Sequence, residues 1–122
     1  MYNKELAVSI LTQIEDALLR LKLRTVDIHC ANDFLLSPER MEKLDAACML
    51  FIAIGESLKS LDKVTNKELF SLYPEIPWKK VMGFRDVIAH HYFDIDAEEV
   101  WWVLENELEP LLSVVKKIKQ EI

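Results

Sequence analysis

The stretch Pro38-Glu39-Arg40-Met41-Glu42-Lys43-Leu44-Asp45-Ala46-Ala47-Cys48-Met49-Leu50-Phe51-Ile52-Ala53-Ile54-Gly55-Glu56-Ser57-Leu58-Lys59-Ser60-Leu61 decides the fold. Met41, Leu44, Cys48, Phe51, Gly55 and Leu58 alternate at spacings of three and four, while Leu50, Ile52 and Ile54 make the middle apolar almost all round. This pattern predicts a helix covered on more than one side. Ser37 supplies an N-cap and Pro38 a first helical residue, so the start is well marked. Gly55 costs about 1 kcal/mol of helix propensity relative to alanine. A glycine there is expected where another backbone approaches closely, from this chain or from a second subunit.

Outward from this segment the chain continues to read as helix. A first helix over about Asn3 to Arg24 repeats Leu6, Ile10, Ile14, Leu18 and Leu21 on one face, and a shorter one over about Val26 to Leu35 carries Ile28, Ala31 and Leu35. After a helical stretch around Lys67 to Leu72, Tyr73-Pro74-Glu75-Ile76-Pro77-Trp78 predicts an extended turn, because each residue before a proline is pushed out of the helical region. A fourth helix begins at Pro77 or Trp78. The last opens at Asp96, an N-cap with Glu99 three residues on. It buries Val100, Leu104, Leu108, Leu111, Val115, Ile118 and Ile122, and Pro110 should kink it near Asn106. With two glycines, four prolines and no alternating strand-like window, the expected fold is all-α: a single domain over residues 1–122, an up-and-down bundle of four to five helices.

The chain has 122 residues with 15 basic and 21 acidic side chains, a formal net charge of −6, which excludes a two-domain enzyme. Hydrophobic residues at 51% against 30% charged provide enough apolar surface for a real core. The longest uninterrupted apolar run, Ala46 to Gly55, is too short to span a membrane. Lys4 and Glu5 interrupt the place where a secretory signal would be, so a cytoplasmic location is expected. Cys30 and Cys48 lack C-x-x-C spacing and read as small buried side chains. The acidic balance argues against broad, charge-driven nucleic-acid binding, so any contact with phosphate must be local.

The densest polar cluster lies in Trp78-Lys79-Lys80-Val81-Met82-Gly83-Phe84-Arg85-Asp86-Val87-Ile88-Ala89-His90-His91-Tyr92-Phe93-Asp94. With Val81 at zero, helical rotation places Ile88 at about −20°, Tyr92 at about 20° and Arg85 at about 40°, so an arginine shares the apolar stripe. It must find a carboxylate, a phosphate or an interface, because an unpaired buried charge costs several kcal/mol. Glu56, beside Gly55, is one candidate partner in the resting state. His90 falls at about 180°, away from Arg85 on a continuous helix. If the helix ends near His90 and the chain becomes extended, His90 and Tyr92 point the same way and Arg85 can reach back toward them. Asp86, four residues before His90, is placed to orient its imidazole.

Arginine with histidine suits phosphodiester chemistry without a metal. Imidazole exchanges protons near neutral pH, a guanidinium binds phosphate in a two-pronged way, and an RNA 2′-hydroxyl supplies the nucleophile. The plainer alternative makes Arg85 an interface salt-bridge residue and His90 a helix C-terminal cap. Trp78, Trp101 and Trp102 read as core or dimer contacts and Lys79-Lys80 as a solvated face. No recognised metal-ligand spacing joins His90, His91, Asp94 and Asp96, so no metal or other cofactor is expected.

Arg85-Asp86-x-x-x-His90-x-Tyr92 resembles the R-x4-H-x-Y signature of the HEPN superfamily, specifically the HepT-type toxins encoded beside a minimal nucleotidyltransferase antitoxin. Ile54-Gly55-Glu56-Ser57-Leu58-Lys59, Pro74-Glu75-Ile76-Pro77-Trp78, Gly83-Phe84-Arg85 and Asp96 through Val100-Trp101 are similar to that family in the same order. The resemblance implies a helical homodimer with two motif copies facing across a cleft, forming a metal-independent endoribonuclease of a type VII-like toxin–antitoxin system. By the same resemblance Arg85 and His90 are catalytic, Asp86 matches the polar position after the arginine, and Tyr92 matches the tyrosine that the nucleotidyltransferase modifies with AMP. His91 occupies a variable position and receives no role. The competing reading is a non-catalytic helical partner that docks on a nucleotidyltransferase and holds its substrate.

Overall fold

The computed structural model describes residues 2–90 and 92–122, with the backbone alone for residue 92. Among these the chain forms five α-helices and no strand: α1 Lys4–Arg24, α2 Pro38–Val64, α3 Trp78–His90, α4 Ala97–Asn106 and α5 Leu108–Glu121. Helices α1 to α4 start where the sequence predicts. Asn3 accepts from the Leu6 N–H, Ser37 from the Arg40 N–H and Asp96 from the Glu98 N–H, each side chain satisfying a donor that a helix leaves unpaired.

Helix α2 is the central element, packed against α1 on one side and α3 on another, while α5 lies along α1. Its length and its all-round apolar middle have the same cause. Ala47, Cys48, Leu50, Phe51, Ile54, Leu58 and Leu61 are all buried, which no single-faced helix would need. Met41, expected on the buried stripe, is half exposed because the first turns of α2 extend beyond the bundle, and Leu6 is likewise exposed while Ala7 and Leu11 take its place inside. Cys48 is buried, and desolvation pushes its thiol up to about 11. Cys30, expected inside, is exposed.

The helix expected over 26–35 is reduced to a 3-10 run over Ala31–Leu35. Cys30 is fully extended and the Asp33 carboxylate accepts from the His29 N–H at 2.8 Å, a local bond that competes with helix formation. Phe34 still plugs the core while Leu35 points out to solvent. The stretch around 67–72 similarly keeps only a 3-10 turn, Phe70–Leu72, because Asn66 and Lys67 adopt left-handed φ values of 58° and 61° to close the end of α2. Beyond it Trp78 stacks on Phe70 with centroids 4.0 Å apart and donates to the Tyr73 carbonyl at 2.8 Å, which anchors the start of α3. The expected kink before Pro110 is a break: α4 stops at Asn106 and α5 begins at Leu108, consistent with a proline that cannot bond to the carbonyl four residues earlier.

Helix α3 crosses α2 at Gly55. A methyl group built there would overlap the Cβ of Arg85, approach its Cγ to 3.0 Å and lie 3.7 Å from the Met82 carbonyl. The close neighbour expected at this glycine therefore belongs to the same chain. Gly55→Ala gains about 1 kcal/mol of helix propensity but forces α3 outward, an overpacking cost of about 1–3 kcal/mol. A net loss of stability is expected, read as a lower urea midpoint at unchanged m-value; an unchanged or raised midpoint would show that α3 yields freely.

Candidate active site

Arg85 sits seven residues into α3, on the face turned toward α2, and its aliphatic stem lies over the bare backbone of Gly55. The stem is covered and the guanidinium reaches the edge, so the side chain is 28% exposed. Glu56, next to Gly55 on α2, places Oε1 2.7 Å from Arg85 Nε, the pairing expected from their positions. The oxygen is off the N–H axis, so this buried N–H makes an ionic contact without a hydrogen bond. Asp86 Oδ1 accepts from Arg85 Nη1 at 2.7 Å and from Lys59 Nζ at 3.3 Å. Nη2 has no protein partner among the described residues.

Four charged groups thus share one spot where α2 and α3 meet, with two positive and two negative charges. The Arg85 hydrogen bond, then that of Lys59, holds the Asp86 carboxyl below the usual carboxylate range, and the same Asp86 bond together with Glu56 raises the guanidinium further above its ordinary value. Asp86, expected to orient His90, instead takes its hydrogen bonds from Arg85 and Lys59, because both cations lie on the α2-facing side of α3. Lys59 is the member of the cluster to which the sequence assigned no role. Its three-residue spacing from Glu56 puts the two on one face of α2, and that spacing is the signal that could have found it.

His90 is exposed and is the last described residue of α3, and the helix is over before Tyr92, so it ends near His90 as expected. In place of the extended segment expected beyond it, Tyr92–Asp94 form a 3-10 turn. With α3 unbroken through His90, Arg85 and His90 stand about 140° apart around the axis in a single chain. Tyr92 opens the turn, but its side chain lies outside the described residues, as does all of His91. Among the described residues no cluster of three or more His, Cys, Asp or Glu is placed to hold a metal ion. Nor, among the described residues, is any helix long and apolar enough to cross a membrane.

A separate groove of about 650 Å³ runs between α3 and the α4–α5 corner, lined mainly by apolar side chains such as Phe51, Phe84, Val87, Trp102 and Leu108. Its walls suit packing more than proton transfer. Trp78 is core, as expected, whereas Trp102 is 56% exposed on this groove. Lys79 and Lys80 are exposed, as a solvated face requires.

The charge cluster has a pH signature. Because the Asp86 carboxyl is depressed in the folded chain, its stabilising contribution is full above the unfolded value near 3.9 and disappears as pH falls through the lower folded value. Wild type should exceed Asp86→Asn in stability at pH 6, and the gap should close on acidification below about pH 4. A gap that stays constant from pH 6 to the acid limit would exclude this coupling.

Comparison with known proteins matches the Ribonuclease HepT-like family over residues 14–118. A Methanocaldococcus jannaschii protein provisionally named an RNase is 32% identical over 69 residues, covering 57% of this chain and 54% of its own length. One from Caldanaerobacter subterraneus, also provisionally named an RNase, is 34% identical over 68 residues, 56% of this chain and 57% of its own. A Thermococcus cleftensis protein provisionally named ribonuclease HepT is 26% identical over 91 residues, 75% of this chain and 76% of its own. The chain therefore spans little more than half the length of the first two relatives. No solved structure matches it. The family match takes in four of the five helices in full or nearly so and about half of α1, together with Gly55, Glu56, Arg85 and His90, and the chain belongs to the HepT-like ribonuclease family.

Proposed function

We propose that this chain is the toxin of a type VII-like toxin–antitoxin module, a metal-independent endoribonuclease whose active site forms between two copies and acts on cytoplasmic RNA. The observation that carries this reading is Arg85: a cation seated on an apolar helix face, with one guanidinium nitrogen unpartnered among the described residues, on the helix that terminates at an exposed His90. The nitrogen left over can donate to a phosphate oxygen. Membership of the HepT-like family supports the choice of RNA.

The chemistry derives from the two side chains. The His90 imidazole takes the proton from a ribose 2′-hydroxyl, and the 2′-oxygen attacks the adjacent phosphorus. The 5′-oxygen leaves with a proton from His90 of the partner subunit, giving a 2′,3′-cyclic phosphate and a 5′-hydroxyl end. Arg85 neutralises the charge that builds on the non-bridging oxygens. Two copies resolve the angular separation of Arg85 and His90, since a guanidinium from one and an imidazole from the other can meet at one phosphate. Asp86 supports Arg85 through its bond to Nη1.

Silencing by the cognate nucleotidyltransferase acts at Tyr92, two residues past His90. An added AMP brings bulk and negative charge next to the phosphate site and repels RNA.

Cleavage of single-stranded RNA by the purified chain should survive EDTA. His90→Ala and Arg85→Ala should each slow it by about 10²–10⁴-fold while helicity and dimer mass are unchanged. A protein that leaves RNA intact under all conditions yet binds the nucleotidyltransferase tightly would instead be the non-catalytic binding partner.

A further inference from the structure

The ion pair between Glu56 and Arg85 is half open to solvent, with the Glu56 side chain 53% exposed, and exposed pairs of this kind contribute little to stability. Its geometry is nonetheless specific. The Arg85 stem is set on Gly55, the Glu56 carboxylate from α2 lies 2.7 Å from Nε off the N–H axis, and Asp86 from α3 accepts from Nη1, so the guanidinium is held by contacts from two helices. Nη2 is the nitrogen left over. Its two N–H groups can meet a phosphate oxygen without either carboxylate being displaced.

We infer that Glu56 is a positioning residue: together with Gly55 it holds the Arg85 guanidinium in one orientation, with Nη2 kept for the substrate phosphate. This rests on the ribonuclease reading above. A side chain with four rotatable bonds that is already immobilised need not be ordered as the transition state forms, and a guanidinium misplaced by about 1 Å loses on the order of 10²-fold in rate. The effect belongs in kcat. Removing a carboxylate from the site does not weaken the attraction for RNA, so KM should not rise.

The test compares wild type, Glu56→Gln and Glu56→Asp on a short single-stranded RNA, after urea unfolding has established that all three fold alike. Glu56→Gln should lower kcat at least about tenfold with KM within about twofold. Glu56→Asp, which keeps the charge on a shorter arm, should recover part of the loss. An unchanged kcat, or a kcat/KM that rises because Glu56 was competing with phosphate, would overturn the assignment.

A second readout does not depend on activity. Exchange of Nη1 with Nη2 by rotation about the Arg85 Nε–Cζ bond, followed by ¹⁵N NMR, should be slow in wild type and at least tenfold faster in Glu56→Gln; equal rates would show that Glu56 does not hold the guanidinium. Should wild type leave RNA intact while the exchange rates differ, the ribonuclease reading falls and the hold of Glu56 on Arg85 stands.

Discussion

The contact between the bare backbone of Gly55 and the stem of Arg85 is the constraint on which the rest depends. It brings α3 close enough to α2 for the guanidinium to meet Glu56, and for Asp86 to meet Lys59 across the same gap. Any side chain at 55 would separate the helices, and with them Glu56 and Lys59 from Arg85 and Asp86. A helix-weakening residue within the longest helix makes sense only as a packing device, and what it packs is a cation on an apolar face.

Around that crossing the bundle is organised to keep α2 enclosed. Helix α1 covers one side, α3 another, and α5 backs α1, where Lys119 pairs with Glu15 at 2.8 Å across 104 residues of sequence. The break before Pro110 separates α4, which packs on the turn over Ala31–Leu35, from α5, which packs along α1. The anchor of Trp78 on Phe70 and the Tyr73 carbonyl sets where α3 begins. Because α3 is a rigid rod from there, the anchor also sets where His90 emerges.

The electrostatics of the crossing are close to balanced, with Arg85 and Lys59 facing Glu56 and Asp86, in a chain whose net charge is −6. Long-range attraction for a polyanion is therefore weak, and on the proposed function recognition would depend on geometry at one guanidinium. This is the setting in which a fixed orientation matters more than added positive charge. It also fits a site completed by a second copy, since a single chain directs Arg85 and His90 to different flanks of α3.

The helical class, the caps at Ser37 and Asp96 and a distortion before Pro110 were legible in the sequence, because each depends on residues a few positions apart or on a periodicity that survives in any environment. The motif residues were legible for the same reason, as a pattern along one helix. Whether the 26–35 and 67–72 segments became α-helix or short 3-10 turns was not, since an Asp33 side chain competing for the backbone and a left-handed pair at Asn66-Lys67 decide energies that differ by little. Nor could spacing reveal that α3 itself fills the gap at Gly55, or that Asp86 turns to Lys59 in place of His90. Those outcomes depend on which helices lie side by side, and packing between segments distant in sequence is settled only when the whole core closes.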